Sequence, residues 1–152
     1  MTLEVLGNIG DLVGGIGVVV TLVYLAIQIK GNTRAQQSST LQALQSDANR
    51  LTMEVASNPQ LAEVCLKSES GLGGLSPVER YQFDNLAMSI FEMHESAHHM
   101  YTQGQINPDV WALWEIGFKS ELSPAFLSFW DERKESYTPA FRQIVENFRA
   151  AG

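Results

Sequence analysis

The stretch LVGGIGVVVTLVYLAIQI, Leu12 to Ile29, decides how the rest of the chain is read. It carries no charged residue, and Asp11 and Lys30 close it at its two ends. A helix rises about 1.5 Å per residue and a hydrocarbon core is roughly 30 Å thick, so about 20 apolar residues make a crossing. The run comes close to that length and reads as a membrane span. A helix buried in a soluble core is the competing reading, and a chain of 152 residues can hold one core. Such a helix normally keeps a polar stripe, whereas here the polar side chains before Gln28 are Thr21 and the Tyr24 hydroxyl. A cleaved signal peptide is a third reading. It needs a positive region where Glu4 and Asp11 stand and a small-x-small site after the run, and neither is present.

Lys30 and Arg34 follow the run and no basic side chain precedes it, so the positive-inside rule puts the N-terminus outside and the C-terminal part in the cytoplasm. The expected organisation is a leader and transmembrane helix over residues 1–32 and a cytosolic helical domain over residues 33–152. Cys65 is the single cysteine, which suits a small core residue in a reducing compartment. Acidic residues number 17 against 10 basic ones, a net charge of −7 with no basic cluster. Nothing in the chain supplies the phosphate-neutralising patch that nucleic acid needs, and Lys30 with Arg34 is no polybasic segment for anionic headgroups. The expected partners are the lipid bilayer and either a second copy or another membrane protein.

Two patterns suggest helix pairing. Gly10, Gly14, Gly17 and Thr21 recur at spacings of four, three and four, lining small residues along one face where another backbone could approach. Glycine is also simply commoner in spans than in soluble helices, which is the other explanation. After the span, Leu41, Leu44, Ala48, Leu51 and Val55 make a narrow three-four seam in a Gln-, Ser- and Thr-rich stretch. A seam two heptads long pairs with a second copy or with a neighbouring helix of the same domain.

The run GNIGDLVGGIGVVVTLVYLAIQIKGNTRAQQSSTLQ resembles the opening of a set of small bacterial proteins with a glycine-bearing span, a TLVYLAIQI-like exit, an NT-R tail and a helical domain. The resemblance extends over most of the chain. It implies the same single-span architecture in a bacterial inner membrane, and it carries no activity with it.

Every proline follows a capping residue: Asn58-Pro59, Ser76-Pro77, Asn107-Pro108, Ser123-Pro124 and Thr138-Pro139. The capping side chain accepts from an otherwise orphaned backbone N–H, and proline at the first helical position removes no needed donor. Helices are therefore predicted over 59–67, 77–103, 108–119, 124–134 and 139–149, broken at Gly71 to Gly74 and at Gly104. No segment alternates with period two, so the fold class is all-α. Apart from Tyr24 every aromatic residue lies at or after Tyr81, which centres the core in the second half of the chain. Trp111, Trp114 and Phe118 share one helical face, and Phe126, Phe129 and Trp130 another.

One motif carries chemistry. His94-Glu95-Ser96-Ala97-His98 matches H-E-x-x-H, in which two histidines four apart on a helix share a zinc ion and the glutamate acts as general base. A third ligand would have to be Glu115 or Glu121, because the metzincin continuation fails at Tyr101. A second metal reading takes Glu92, Glu95 and His98 as the carboxylate-histidine set of a di-metal bundle, completed by a symmetry mate. Against both stands a plainer reading. His94 and His98 fall on the face shared by Phe83, Leu86, Ile90, Ala97 and Tyr101, where histidines pack as core residues. In the family resembled, the positions of His98 and His99 are often aromatic, which implies that the motif is not a shared feature.

No phosphate loop follows from Gly71-Leu72-Gly73-Gly74, which lacks the Lys-Ser/Thr and the preceding strand, and no G-x-S-x-G elbow occurs. The expected function is therefore binding, as a homo-oligomer or as an accessory subunit of a membrane assembly, with no catalytic activity and no cofactor. The alternative is a membrane-tethered metalloenzyme of zinc-hydrolase type built on His94, Glu95 and His98.

Overall fold

A computed structural model describes the backbone of residues 3–151 and the side chains of residues 14–150. Among these residues every regular element is helical: α1 (Leu3–Ser57), α2 (Pro59–Ser68), α3 (Pro77–Thr102), α4 (Pro108–Glu121), α5 (Pro124–Arg133) and α6 (Pro139–Ala151). Short 3-10 turns lie at Leu72–Gly74 and Lys134–Ser136. The chain divides into two compact units, Met1–Ser39 and Thr40–Gly152.

The first unit is the N-terminal part of α1. It provides one helix long and apolar enough to cross a membrane, with a window of mean hydropathy 1.6 and none of that window buried. Thr21 Oγ1 donates to Gly17 O at 2.8 Å and Thr33 Oγ1 to Ile29 O at 3.0 Å, so these hydroxyls are satisfied within the helix itself. Gly31 and Asn32, where a bend could have fallen, lie inside uninterrupted helix.

In the second unit all five proline-marked starts are helix starts. Asn58 accepts from the N–H groups of Gln60 and Leu61, and Asn107 from those of Asp109 and Val110. Ser123 caps α5 through the Phe126 N–H. Ser76 and Glu79 form a reciprocal capping box, satisfying two orphan donors at the head of α3. Helix ends depart slightly from expectation. Gly104, at φ +70, stops α3 after Thr102, while α4 has no glycine brake and runs on to Glu121.

Two apolar clusters hold this unit together. In the larger, Phe83, Ala87 and Phe91 of α3 pack with Phe118 of α4, Ala125, Phe129 and Trp130 of α5, Tyr137, and Phe141 and Val145 of α6. The smaller joins Leu44 of α1 to Ala97, Ile106 and Trp111, so the seam begun at Leu41 is partly filled by its own domain. Buried indole N–H groups are satisfied: Trp130 Nε1 donates to Glu146 at 2.9 Å and Trp111 Nε1 to Glu115 at 2.9 Å.

Ion pairs tie neighbouring helices at the surface. Arg80 of α3 reaches Asp84 and Glu132, and Arg149 of α6 grips both oxygens of Asp131 of α5 at 2.8 Å. Lys67 of α2 meets Glu79 of α3 at 2.6 Å. That contact, aided by the Ser76 backbone N–H, holds the Glu79 carboxyl down from 4.5 to about 2, and the same pair with Glu63 lifts Lys67 from 10.5 to about 12. A depressed carboxyl contributes stability that is complete above its ordinary value and fades as pH falls toward the folded one. Between pH 4.5 and 2 the thermal midpoint of the wild type therefore falls more steeply than that of Glu79→Gln, measurable by circular dichroism on both chains. Parallel curves would remove the pair from the acid response.

Candidate functional site

The H-E-x-x-H residues lie on the second half of α3, and the helix treats each differently. His94 belongs to the buried stripe of Phe83, Ala87, Phe91 and Ala97 and is 3% exposed. Its ring stacks on Phe118, with centroids 4.0 Å apart, and stands edge-on to Trp114 at 5.5 Å. Nε2 lies 3.1 Å from Oε2 of Glu121, while Nδ1 is buried with no hydrogen-bond partner. The tautomer that suits this setting carries its proton on Nε2 and donates it to Glu121.

His98, one turn on, is half-buried between Trp111, at 5.5 Å, and Phe141, at 6.4 Å. Burial pushes its pKa down, the neighbouring His99 adds to this, and Glu115 and Glu95 oppose it. Glu95 uses its Oε1 to accept the Thr138 backbone N–H at 2.7 Å, fastening α3 to the start of α6. Glu115 accepts from the indole of Trp111 at 2.9 Å. Glu92 is exposed. The structure thus joins His94 to Glu121, and gives Glu95 and Glu115 other partners. Among the described residues no group of three or more His, Cys, Asp or Glu side chains is arranged to hold a metal ion.

Of the residues suggested for helix pairing, Gly14, Gly17 and Thr21 are exposed, and a Cβ built on Gly14 or Gly17 would meet nothing within 4 Å. Gly10 lies outside the residues whose surroundings are described. In the seam, Leu44 is buried, and Leu41, Ala48, Leu51 and Val55 are half-buried.

What the sequence did not reveal is a groove of about 530 Å³ beside the seam. Ala48, Leu51 and Val55 of α1 form one wall, Cys65 of α2 and Leu86, Ile90 and Met93 of α3 the others, and Phe126 of α5 one end. Desolvation in this setting raises the Cys65 thiol pKa. A smaller cavity of about 230 Å³ adjoins it, lined by His94, Leu113, Trp114 and Gly117, and the two share Ala48, Met93 and Glu121. The sequence signal that could have pointed here is the small Ala48 in the seam, opposite a helix carrying Ile90 and Met93. On the other flank of α1 a more polar groove of about 540 Å³ runs past Asp47, Arg50, Glu54 and Glu92.

Compared with protein families, curated proteins and solved structures, the chain has no match in any of the three. The site is therefore interpreted from its own geometry. If Glu95 acts as the fastener of α6, Glu95→Ala lowers unfolding stability by about 1 kcal/mol and Glu95→Gln, which keeps an acceptor, by less than half of that, in urea unfolding followed by circular dichroism. Equal losses in the two variants would mean that the Thr138 contact is not what Glu95 supplies.

Proposed function

We propose that the protein is a membrane-anchored helical module that acts by binding. Its N-terminus is outside, its helical unit lies in the cytoplasm of a bacterial inner membrane, and it works as a homo-oligomer or as an accessory subunit of a membrane assembly. The observation that carries this reading is the state of the apolar side chains of α1. From Ile16 to Ile29 its large hydrophobic residues are 48–66% exposed, on every side of the helix. Covering one such side chain is worth about 1.5–3 kcal/mol, so the ten left in water are a large unfavourable sum that lipid tails remove.

Two further features support this reading, one its association and the other its orientation. The Gly14, Gly17 and Thr21 face is flat, and the Thr21 hydroxyl, already bonded to Gly17 O, makes no demand on a neighbour. Lys30 and Arg34, just past the apolar run, are the basic flank on which the orientation rests. Expected outcomes are retention of the full chain in membranes washed with alkaline carbonate, and cross-links from Gly17→Cys in a Cys65→Ser background within native membranes. A chain that carbonate extracts, or that is a strict monomer in detergent and cross-links to nothing in membranes, ends this reading.

A second reading, the membrane-tethered metalloenzyme with Glu95 as base, draws on one observation: the Glu121 carboxylate stands 3.1 Å from His94 Nε2, so one carboxylate-histidine pair of the ligand set is together. Elemental analysis of chelator-free protein decides it. That reading requires about one transition metal per chain, lost in His94→Ala, as expected of a structural or catalytic zinc site. Background metal in both proteins rejects it.

A further inference from the structure

The groove of about 530 Å³ falls within the size range of small-molecule sites, and its walls are mainly aliphatic and aromatic. Its charged lining residues are both acidic. Glu69 is the C-cap of α2 and Glu121 the last residue of α4, so each carboxylate sits at the negative end of a helix dipole. No Lys or Arg lines the groove or the cavity that adjoins it at Glu121. The nearest basic residues in sequence are engaged elsewhere: Lys67 with Glu63 and Glu79, and Lys119 over the Phe148 ring at 4.6 Å.

The adjoining cavity adds an aromatic element. Trp114 lines it, half-buried, together with His94 and Glu121. An indole and a carboxylate in the lining of one cavity suit an alkylammonium group, which is attracted to an aromatic ring and to a negative charge. The buried His94 contributes through Glu121. Its contact with Oε2 of Glu121 at 3.1 Å holds that carboxylate where the two cavities meet, while Nδ1 remains unpartnered.

We propose that the groove between α1, α2, α3 and α5 binds a single-chain amphiphile with a cationic head, its chain lying along Leu51, Val55, Ile90 and Phe126 and its head at Glu121 and Trp114. Binding is a property of the helical unit and does not depend on whether the span associates. An anionic head would meet Glu69 and Glu121 at the ends of two helix dipoles and is rejected. Apolar contact supplies the affinity and the carboxylates supply the choice of head.

The test uses the full chain in a nonionic maltoside, with decyltrimethylammonium and decyl sulfate as probes and calorimetry as the readout. Partition of each probe into protein-free micelles is measured separately and subtracted, so that the affinities compared, between heads and between variants, refer to the free probe. The wild type takes up decyltrimethylammonium saturably, about one per chain, and holds it about tenfold more tightly than decyl sulfate. Glu121→Gln brings the two probes to within about twofold of each other without abolishing uptake. Ile90→Trp and Val55→Trp, which fill the groove, abolish saturable uptake with helical content unchanged. Val55 lies near the end of α1, so that variant carries the test should Ile90→Trp lose helicity. Equal affinity of the wild type for the two heads, or undiminished uptake by folded Val55→Trp, overturns the proposal.

Discussion

The helical unit depends on the ring of Phe91. It is fully buried and meets five others: Phe118 edge-on at 5.6 Å, Phe129 and Trp130 stacked at 5.8 and 5.1 Å, and Phe126 and Tyr137 at 6.2 and 5.8 Å. These partners come from α4, α5 and the turn before α6, so one side chain of α3 joins most of the unit. Removing a buried Phe costs about 3–5 kcal/mol, a large part of what a domain of this size has in hand. The register of α3 is thereby fixed, and that register has a consequence for chemistry. His94 lies one turn after Phe91, packed on the same Phe118 ring, and is buried because the stripe that carries Phe91 passes through it.

The same constraint explains why the three residues named by the motif are placed differently. On a helix whose core face is set by Phe91 and Ala97, position 94 points inward, 98 falls at the margin and 95 faces α6. Glu95 is consequently drawn to the Thr138 N–H, which lies just before α6 and has no carbonyl partner within that helix. Glu115 is drawn to the indole of Trp111 four residues earlier on its own helix. A spacing that permits two histidines to share a metal also permits one to enter a core stripe and the next to lie at its margin, which is where His94 and His98 stand.

How much was legible in the sequence follows from the range of each interaction. The five cap-proline pairs act within three residues, so the starts at Pro59, Pro77, Pro108, Pro124 and Pro139 could be read directly, and with them the all-helical class. Helix ends were less legible, because α4 stops at Leu122 without a glycine and only the next cap at Ser123 ends it. The contacts that define the site span long stretches of chain: His94 to Glu121 over 27 residues and Glu95 to Thr138 over 43. No local pattern encodes these. The groove was invisible for the same reason, being the space left where Ala48 is too small to fill the gap to Met93 and Ile90.

The seam on α1 shows how that space arises. Leu44 is long enough to enter the cluster of Ala97, Ile106 and Trp111, and there the helix seats against the unit. One turn on, Ala48 cannot reach as far, and Leu51 and Val55 remain half-buried along the groove. A seam selected only for packing would carry a large aliphatic residue at 48, since an unfilled cavity sacrifices contacts on every wall. Glu69 and Glu121 stand at the negative ends of the α2 and α4 dipoles, an unfavourable place for a carboxylate that at Glu121 is offset by the contact with His94 Nε2. The short reach of Ala48 and the two carboxylates meet in one groove, and the proposed amphiphile site rests on that meeting.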